Sequence, residues 1–402
     1  TPAEAGPLAL QGGARIGGSG GRTAAVGRLA ACLAIALGGN AAAQTVTLSP
    51  AGELRTLYRW STDRCEDEFI PDAPARAFRR ADGRMALLAT HRENWVLVGA
   101  DFGSLKPDCR SVLRSSEHGP EGAGELWIEA TYTRDGRDVV ALVSQDLSRR
   151  TRAEGCDRRD LPGRCWLNNI LAARSTDMGR SFSLLPGSSR MVATLGDRYP
   201  AEARFRYGVF TTSNIVHHGS GYYMLAYLQA EPMQPPGNCL FRTEDPFVPG
   251  SWRGWDGKDF SIDLAKPGGS GRPCASLSPR VLQTEVRSLT YVPGRGVWLA
   301  VFRGRMMLDG DTAPIPGFYY AQSRDMLDWQ APRRILAAPT QARQDDTTVV
   351  TNYPSLLDPE SLSRNFESLD SGRPVLLFTV QHLQKGQGSM NRDLQYLPLR
   401  AD

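Results

Sequence analysis

Four acidic residues stand where a polar group can meet a ligand: Asp72, Glu129, Asp146 and Glu231. Two carboxyl groups in different protonation states can carry out general acid–base hydrolysis, one taking a proton from water and the other giving one to a leaving group. Asp72 is the expected base. Glu129, Asp146 and Glu231 compete to be the acid, whose pKa must be raised by burial or by a neighbouring carboxylate. Arg76, His91, Asn94, Asn214, Arg287, Tyr353 and His382 form the expected substrate-binding set, and Trp95 and Trp166 could stack on a ring. Bland roles compete: Asp72 could cap the turn before Pro74, and Glu129 could form a structural ion pair with Arg76. No CxxC or Cys/His spacing points to zinc, so the catalytic set is expected to work without metal or cofactor.

What could position these residues is bounded by composition. The chain has 402 residues, 22% charged and 41% hydrophobic, which is globular rather than disordered. Its 41 Gly and 27 Pro suit many short strands joined by tight turns. A formal charge of +4 gives no warrant for a nucleic-acid partner. Arg28, the apolar run from Leu29 to Leu37 and Ala41–Ala43 before Gln44 read as a targeting segment over 1–43, cleaved near Ala43–Gln44 for export to the periplasm or the medium. The run is too short to span a bilayer. Six cysteines then remain, an even count that suggests disulfides in an exported chain. Cys156 with Cys165 is the closest pair in sequence, Cys239 with Cys274 is plausible, and Cys65 with Cys109 is what is left.

One pattern occurs five times, starting at Asp72, Trp127, Thr211, Glu285 and Asn352. An apolar strand leads to a tight turn with Gly, a second strand returns, and a third ends in a short turn built around Asp, as at Asp101, Asp177, Asp245 and Asp325. Radial repetition protects strand edges in an all-β chain of this length. The expectation is therefore an all-β, five-bladed β-propeller over 44–402 as one domain, with a two-sheet sandwich as the alternative. The last copy lacks a fourth strand, and Glu53–Trp60 is expected to supply it and close the ring. The starts of the inner strands and the loops from second to third strands should reach one face, the Asp-Gly and Asp-box turns the other.

Ser175–Phe182, STDMGRSF, resembles the Asp-box of sialidases and other propellers, and Ser323-Arg324-Asp325 with Trp329 is a degenerate relative. Ile70-Pro71-Asp72-Ala73-Pro74 resembles the first inner strand of five-bladed furanosidase-type enzymes such as glycoside hydrolase family 43, in a bacterial branch. The resemblance implies that Asp72 is the general base and that further carboxylates come from blades two and three. Glu129 occupies the comparable place in blade two; Asn214 stands where blade three would carry a Glu. Implied with it are a secreted, monomeric glycoside hydrolase and a carbohydrate partner. Two alternatives remain. One is a non-catalytic carbohydrate-binding propeller. The other is a sialidase-like hydrolase, which needs Arg76, Arg287 and Arg364 to converge. Arg364 and Asn365 lie in a long insertion of the fifth copy for which the sequence suggests no role.

Overall fold

The computed structural model describes residues 45–115, 124–147, 165–200, 203–266, 271–341 and 347–402. These form a β-propeller, and the described strands fall into antiparallel groups that follow the sequence repeats. The first comprises Arg76–Arg79, Met85–Leu88, Glu93–Gly99 and Lys106–Arg114. The second comprises Glu125–Thr133, Val139–Leu147 and Leu167–Ser175, edged by Ser183–Leu184 and Met191–Ala193. The third runs Tyr207–Thr212, Gly221–Ala230, Gln234–Thr243, Arg253–Trp255 and Phe260–Ile262. The fourth is Val286–Val292, Val297–Met306, Ile315–Ser323 and Arg333–Ala337. The last is Val349–Leu357, Val375–His382 and Arg392–Ala401.

The outer edge of the last group is paired with two short strands that precede the first group. Arg55–Tyr58 lies against Arg392–Ala401, as the reading of Glu53–Trp60 requires. Leu48–Pro50 pairs with the same strand further along, a contribution the sequence did not suggest. Residues from Trp60 on leave the sheet, since Trp60–Asp63 is a single helical turn.

Apolar layers lie between successive groups and close the circle. Phe78, Leu88, Ile128 and Val143 pack between the first and second, Ile170, Val209 and Met224 between the second and third, and Leu240, Leu289 and Phe302 between the third and fourth. Leu299, Phe318, Leu376 and Phe378 fill the next layer, and Tyr58, Leu87, Trp95, Leu377 and Leu394 join the last group to the first. Each fully buried large apolar side chain contributes about 1.5–3 kcal/mol of transfer free energy. A flat sandwich has no such layer between its first and last strands.

Side-chain amides and hydroxyls clip neighbouring groups together. Asn94 donates to the Leu126 carbonyl at 2.9 Å and accepts from the Ile128 N–H at 2.8 Å. Asn238 does the same with Thr284 and Val286, and Asn214 with both backbone groups of Leu289. Between the second and third groups the backbones themselves meet in parallel, Gly208 opposite Asn168. Only glycine fits there: φ is +125°, and a Cβ would lie 2.1 Å from the Asn168 carbonyl oxygen.

Cys65–Cys109 and Cys239–Cys274 are disulfides. Cys165 is also disulfide-bonded; Cys156 lies outside the described residues. Among the described residues no helix is long and apolar enough to cross a membrane.

Candidate active-site cavity

At the centre of the ring the buried Arg76 guanidinium ties the inner strands together. Nε donates to the Glu129 carbonyl at 2.7 Å, one terminal nitrogen to the carbonyls of Thr212 (3.1 Å) and Arg287 (2.7 Å), and the other to Ser355 Oγ at 3.3 Å. One side chain from the first group thus reaches an inner strand of every other group. Burial lowers its pKa to about 9, with Glu129 partly offsetting the cost of desolvation. Arg76 is therefore a hub of the fold, and its donors are spent on carbonyls rather than held for substrate.

On one side of this hub lies a cavity of about 280 Å³ lined by Asp72, Glu125, Trp127, Glu129, Ser144, Asp146, Trp166, Asn168, Arg206, Phe210, Thr211, Arg287 and Tyr353. The mechanism that aims the inner-strand residues into it is a repeated β-bulge. Pairing slips by one residue at Glu129 (between Ile128 and Ala130), at Thr211 (between Phe210 and Thr212), at Arg287 (between Val286 and Ser288) and at Tyr353 (between Asn352 and Ser355). A bulge leaves one residue unpaired and re-aims its side chain. Thr211 and Tyr353 take positive φ, 45° and 55°, which is strained for side chains of these types. In the first group the register of Arg76 with Leu88 does not continue to Asp72, whose N–H instead donates to the Thr90 carbonyl.

The carboxyl groups of the cavity have distinct surroundings. Asp72 is ion-paired with Arg392, and its other oxygen is 3.6 Å from His91 Nε2. His91 Nδ1 is 3.1 Å from Glu68, and burial pulls the imidazole down to about 4 despite that neighbour, so the ring is neutral at pH 7. Burial raises Glu129 to about 7, against the attraction of Arg287 and Arg76; its Oε2 has no hydrogen-bond partner. Asp146 rises to about 8 through burial and repulsion by Glu125, with Trp166 opposing; its Oδ1 is also unpartnered. Glu125 is held by Arg92 at 3.3 Å. Both Glu129 and Asp146 thus hold protons near neutral pH, while Asp72 sits in an ion pair.

The basic side is built around Glu285. Arg206 pairs with it directly and its guanidinium stacks over Phe210, 4.3 Å from the ring centre. Arg287 is 3.8 Å from Glu285, donates to Thr211 Oγ1 at 2.7 Å and lies over Tyr353. Burial would raise Glu285, but Arg287 and Arg206 win and hold it at about 2. Among the described residues no group of three or more His, Cys, Asp or Glu is arranged to hold a metal.

No family model matches the chain, and no curated protein does. Solved structures of similar fold do exist. The catalytic domain of a GH62 α-L-arabinofuranosidase from Coprinopsis cinerea matches at 12% identity and TM-score 0.48, over 88% of this chain and 96% of that one. An α-L-arabinofuranosidase from Podospora anserina in complex with cellotriose matches at 11% identity and TM-score 0.47, over 88% and 96%. An α-L-arabinanase from Cellvibrio cellulosa complexed with arabinohexaose matches at 10% and 0.41, over 80% and 92%.

Of the residues singled out in sequence, Asp72, Glu129, Asp146, Arg287 and Tyr353 line the cavity together, and His91 stands behind Asp72. The others are placed elsewhere. Glu231 is exposed at the turn after Gly221–Ala230 and is not in the lining. Asn94 and Asn214 spend their amides on the clips described above. His382, outside the lining, pairs with Asp393 at 2.9 Å. Trp95 is fully buried, stacked on Phe69, whereas Trp166 does reach the cavity. Arg76, Arg287 and Arg364 do not converge: Arg364 donates to the Arg79 carbonyl, at the opposite end of its strand from Arg76. Glu129 meets Arg76 through its carbonyl rather than as a hydrogen-bonded ion pair. Thr211, Trp127, Arg206 and Asn168 escaped the sequence reading. Thr211 is the bulged residue of the third inner strand, three positions before the Asn214 chosen for that place, and nothing in a single sequence marks where a bulge falls.

The fifth-copy insertion has a role after all. Inner strands run away from the cavity, and at their far ends this segment crosses them. Asn365 exchanges hydrogen bonds with both backbone groups of Thr133, Arg364 with those of Arg79, Glu367 accepts from the His217 N–H, and Ser368 bridges to Tyr291. The segment thus ties together the ends of inner strands on the side away from the cavity.

Proposed function

We propose that this chain is an exported five-bladed propeller that hydrolyses a glycosidic bond in its axial cavity by carboxyl acid–base chemistry. One observation carries the reading: a single cavity receives side chains from the second to fifth inner strands and from Asp72 just before the first, with Asp72 in an ion pair and two further carboxyl groups whose pKa values are raised to about 7 and about 8. Asp72 is the base that activates water. Glu129 and Asp146 are the two groups able to protonate a leaving oxygen. Trp127 and Trp166 offer apolar faces to a sugar ring. The chain acts as a monomer over 44–402, after removal of 1–43 near Ala43–Gln44, and the two disulfides suit an oxidising compartment. Ser175–Phe182 is an Asp-box turn, with Asp177 Oδ1 accepting from the Arg180 and Ser181 N–H groups.

The test is turnover on a panel of aryl-glycosides and polysaccharides. Asp72→Asn should lower kcat by about 10²–10⁴-fold while leaving affinity nearly intact. Wild-type turnover in that variant would exclude Asp72 as the base. The second reading is a non-catalytic carbohydrate-binding propeller, favoured by Thr211, which puts a hydroxyl rather than a carboxyl at the third bulge. Binding without turnover by the wild type would decide for it.

A further inference from the structure

The cavity is bipolar. Asp72, Glu125, Glu129 and Asp146 come from the first and second groups, whereas Arg206 and Arg287 come from the segment entering the third group and from the fourth inner strand. Three guanidinium groups crowd one carboxylate there. Glu285 is taken by Arg206, Arg287 stands beyond hydrogen-bond reach of it at 3.8 Å, and the half-buried Arg303 is close enough to feel their charges. Arg303 stands in the same field: burial lowers its pKa first, Arg287 and Arg206 add to that, and Glu285 opposes it. Arg287 is more than nine-tenths buried, lines the cavity, and uses one terminal nitrogen on Thr211 while its Nε has no acceptor. Arg287 shares Glu285 with Arg206 and leaves its Nε without an acceptor, so an anion supplied by a ligand would add a partner that the protein does not give it in full.

We propose that the sugar taken by this cavity carries a carboxylate, as a uronic acid does, and that this carboxylate docks on Arg287 with Arg206 beside it. This rests on the carbohydrate reading above and narrows it to acidic glycans. The carboxylate fixes the direction of entry: with the acid group at the arginines, the sugar ring and its glycosidic oxygen extend toward Asp72, Glu129 and Asp146. A neutral sugar would leave Arg287 with only its shared 3.8 Å contact to Glu285, so discrimination against it follows from charge that the protein itself balances incompletely.

The test uses matched ligands. Oligomers of galacturonate, glucuronate, mannuronate and guluronate are compared by calorimetry with their methyl esters, which keep the shape and remove the charge, and with neutral arabino-, xylo- and galacto-oligosaccharides. At least one uronate should bind, and its methyl ester should bind about tenfold or more weakly. Arg287→Gln should abolish that difference while Arg287→Lys retains part of it, both variants being checked for unchanged melting temperature and, if destabilised, replaced by Arg206→Gln. A neutral oligosaccharide that binds while no uronate does would overturn this proposal and leave the carbohydrate reading standing. Equal binding of a uronate and its ester would do the same. No binding across the whole panel would overturn both.

Discussion

Glu129 and Asp146 keep protons that the same residues lose in an unfolded chain, and this has a consequence for stability as well as for chemistry. Between the ordinary carboxyl range and the raised values of about 7 and about 8, the folded state binds more protons than the unfolded state. Stability contributed by these two groups therefore falls as pH rises through that window and levels off above it. Replacing Glu129 by Gln should remove its share, so the melting temperature of the variant, relative to wild type, should climb from pH 5 to pH 7. Asp146→Asn should behave likewise up to pH 8. A pH-independent difference would show that neither carboxyl is proton-loaded in the fold. The variant that also abolishes the alkaline limb of the rate profile identifies the proton donor. The acidic residues were legible in sequence because each sits at a repeat's cavity end; their protonation was not, since it depends on burial and on Arg287 and Glu125, which come from distant positions in the chain or across a strand pair.

At the scale of strands and clips, the repeat announced itself through Asp and Gly turns and apolar runs, and the groups follow it. What stayed hidden was which polar residues serve the fold. Asn94 and Asn214 look like ligand-binding amides in sequence, yet each of them, like Asn238, replaces a peptide group, donating to one backbone carbonyl and accepting from one N–H of the neighbouring group. The amide gives both halves of a β-bridge without a strand. Removing one leaves a buried N–H and a buried carbonyl unpaired, at about 1–3 kcal/mol each. Asn214→Ala should thus lower the melting temperature by several degrees and leave ligand affinity unchanged. A large loss of affinity at unchanged stability would return Asn214 to the binding site. Gly208→Ala is the corresponding backbone test. With the Asn168 carbonyl 2.1 Å from the added Cβ, the parallel contact between the second and third groups must open, distorting the Asn168 side of the cavity as well as destabilising the ring. Binding at wild-type affinity by a folded Gly208→Ala variant would show that this contact does not shape the cavity.

A ring differs from a stack in having no spare end: the last group must meet the first, and residues 46–58 join it there by pairing with Arg392–Ala401. Thr47 and Asp402 exchange backbone hydrogen bonds, Leu48–Pro50 and Arg55–Tyr58 share one partner strand, and Tyr58 and Leu48 bury their side chains in different inter-group layers. Val46 adds a second tie, donating its N–H to Gln322 and accepting from that residue's amide, which links the closing strand to the fourth group. Deleting residues 1–64 removes all of this at once. It exposes the edge of Arg392–Ala401, a template for pairing between molecules, and forfeits the burial of Val46, Leu48 and Tyr58, each about 1.5–3 kcal/mol where a large apolar side chain is fully lost. Arg392 belongs to that same strand and is the partner of Asp72, so loosening the edge also frees the proposed base from its ion pair. The expected outcome is a chain that aggregates or melts far below wild type. Adding a peptide of residues 45–64 should restore solubility by filling the vacant edge, and ligand binding should return with it. A truncated chain that is monomeric, melts at the wild-type temperature and binds as before would mean that Arg76, holding all the inner strands from the axis, keeps the ring closed without the outer strand.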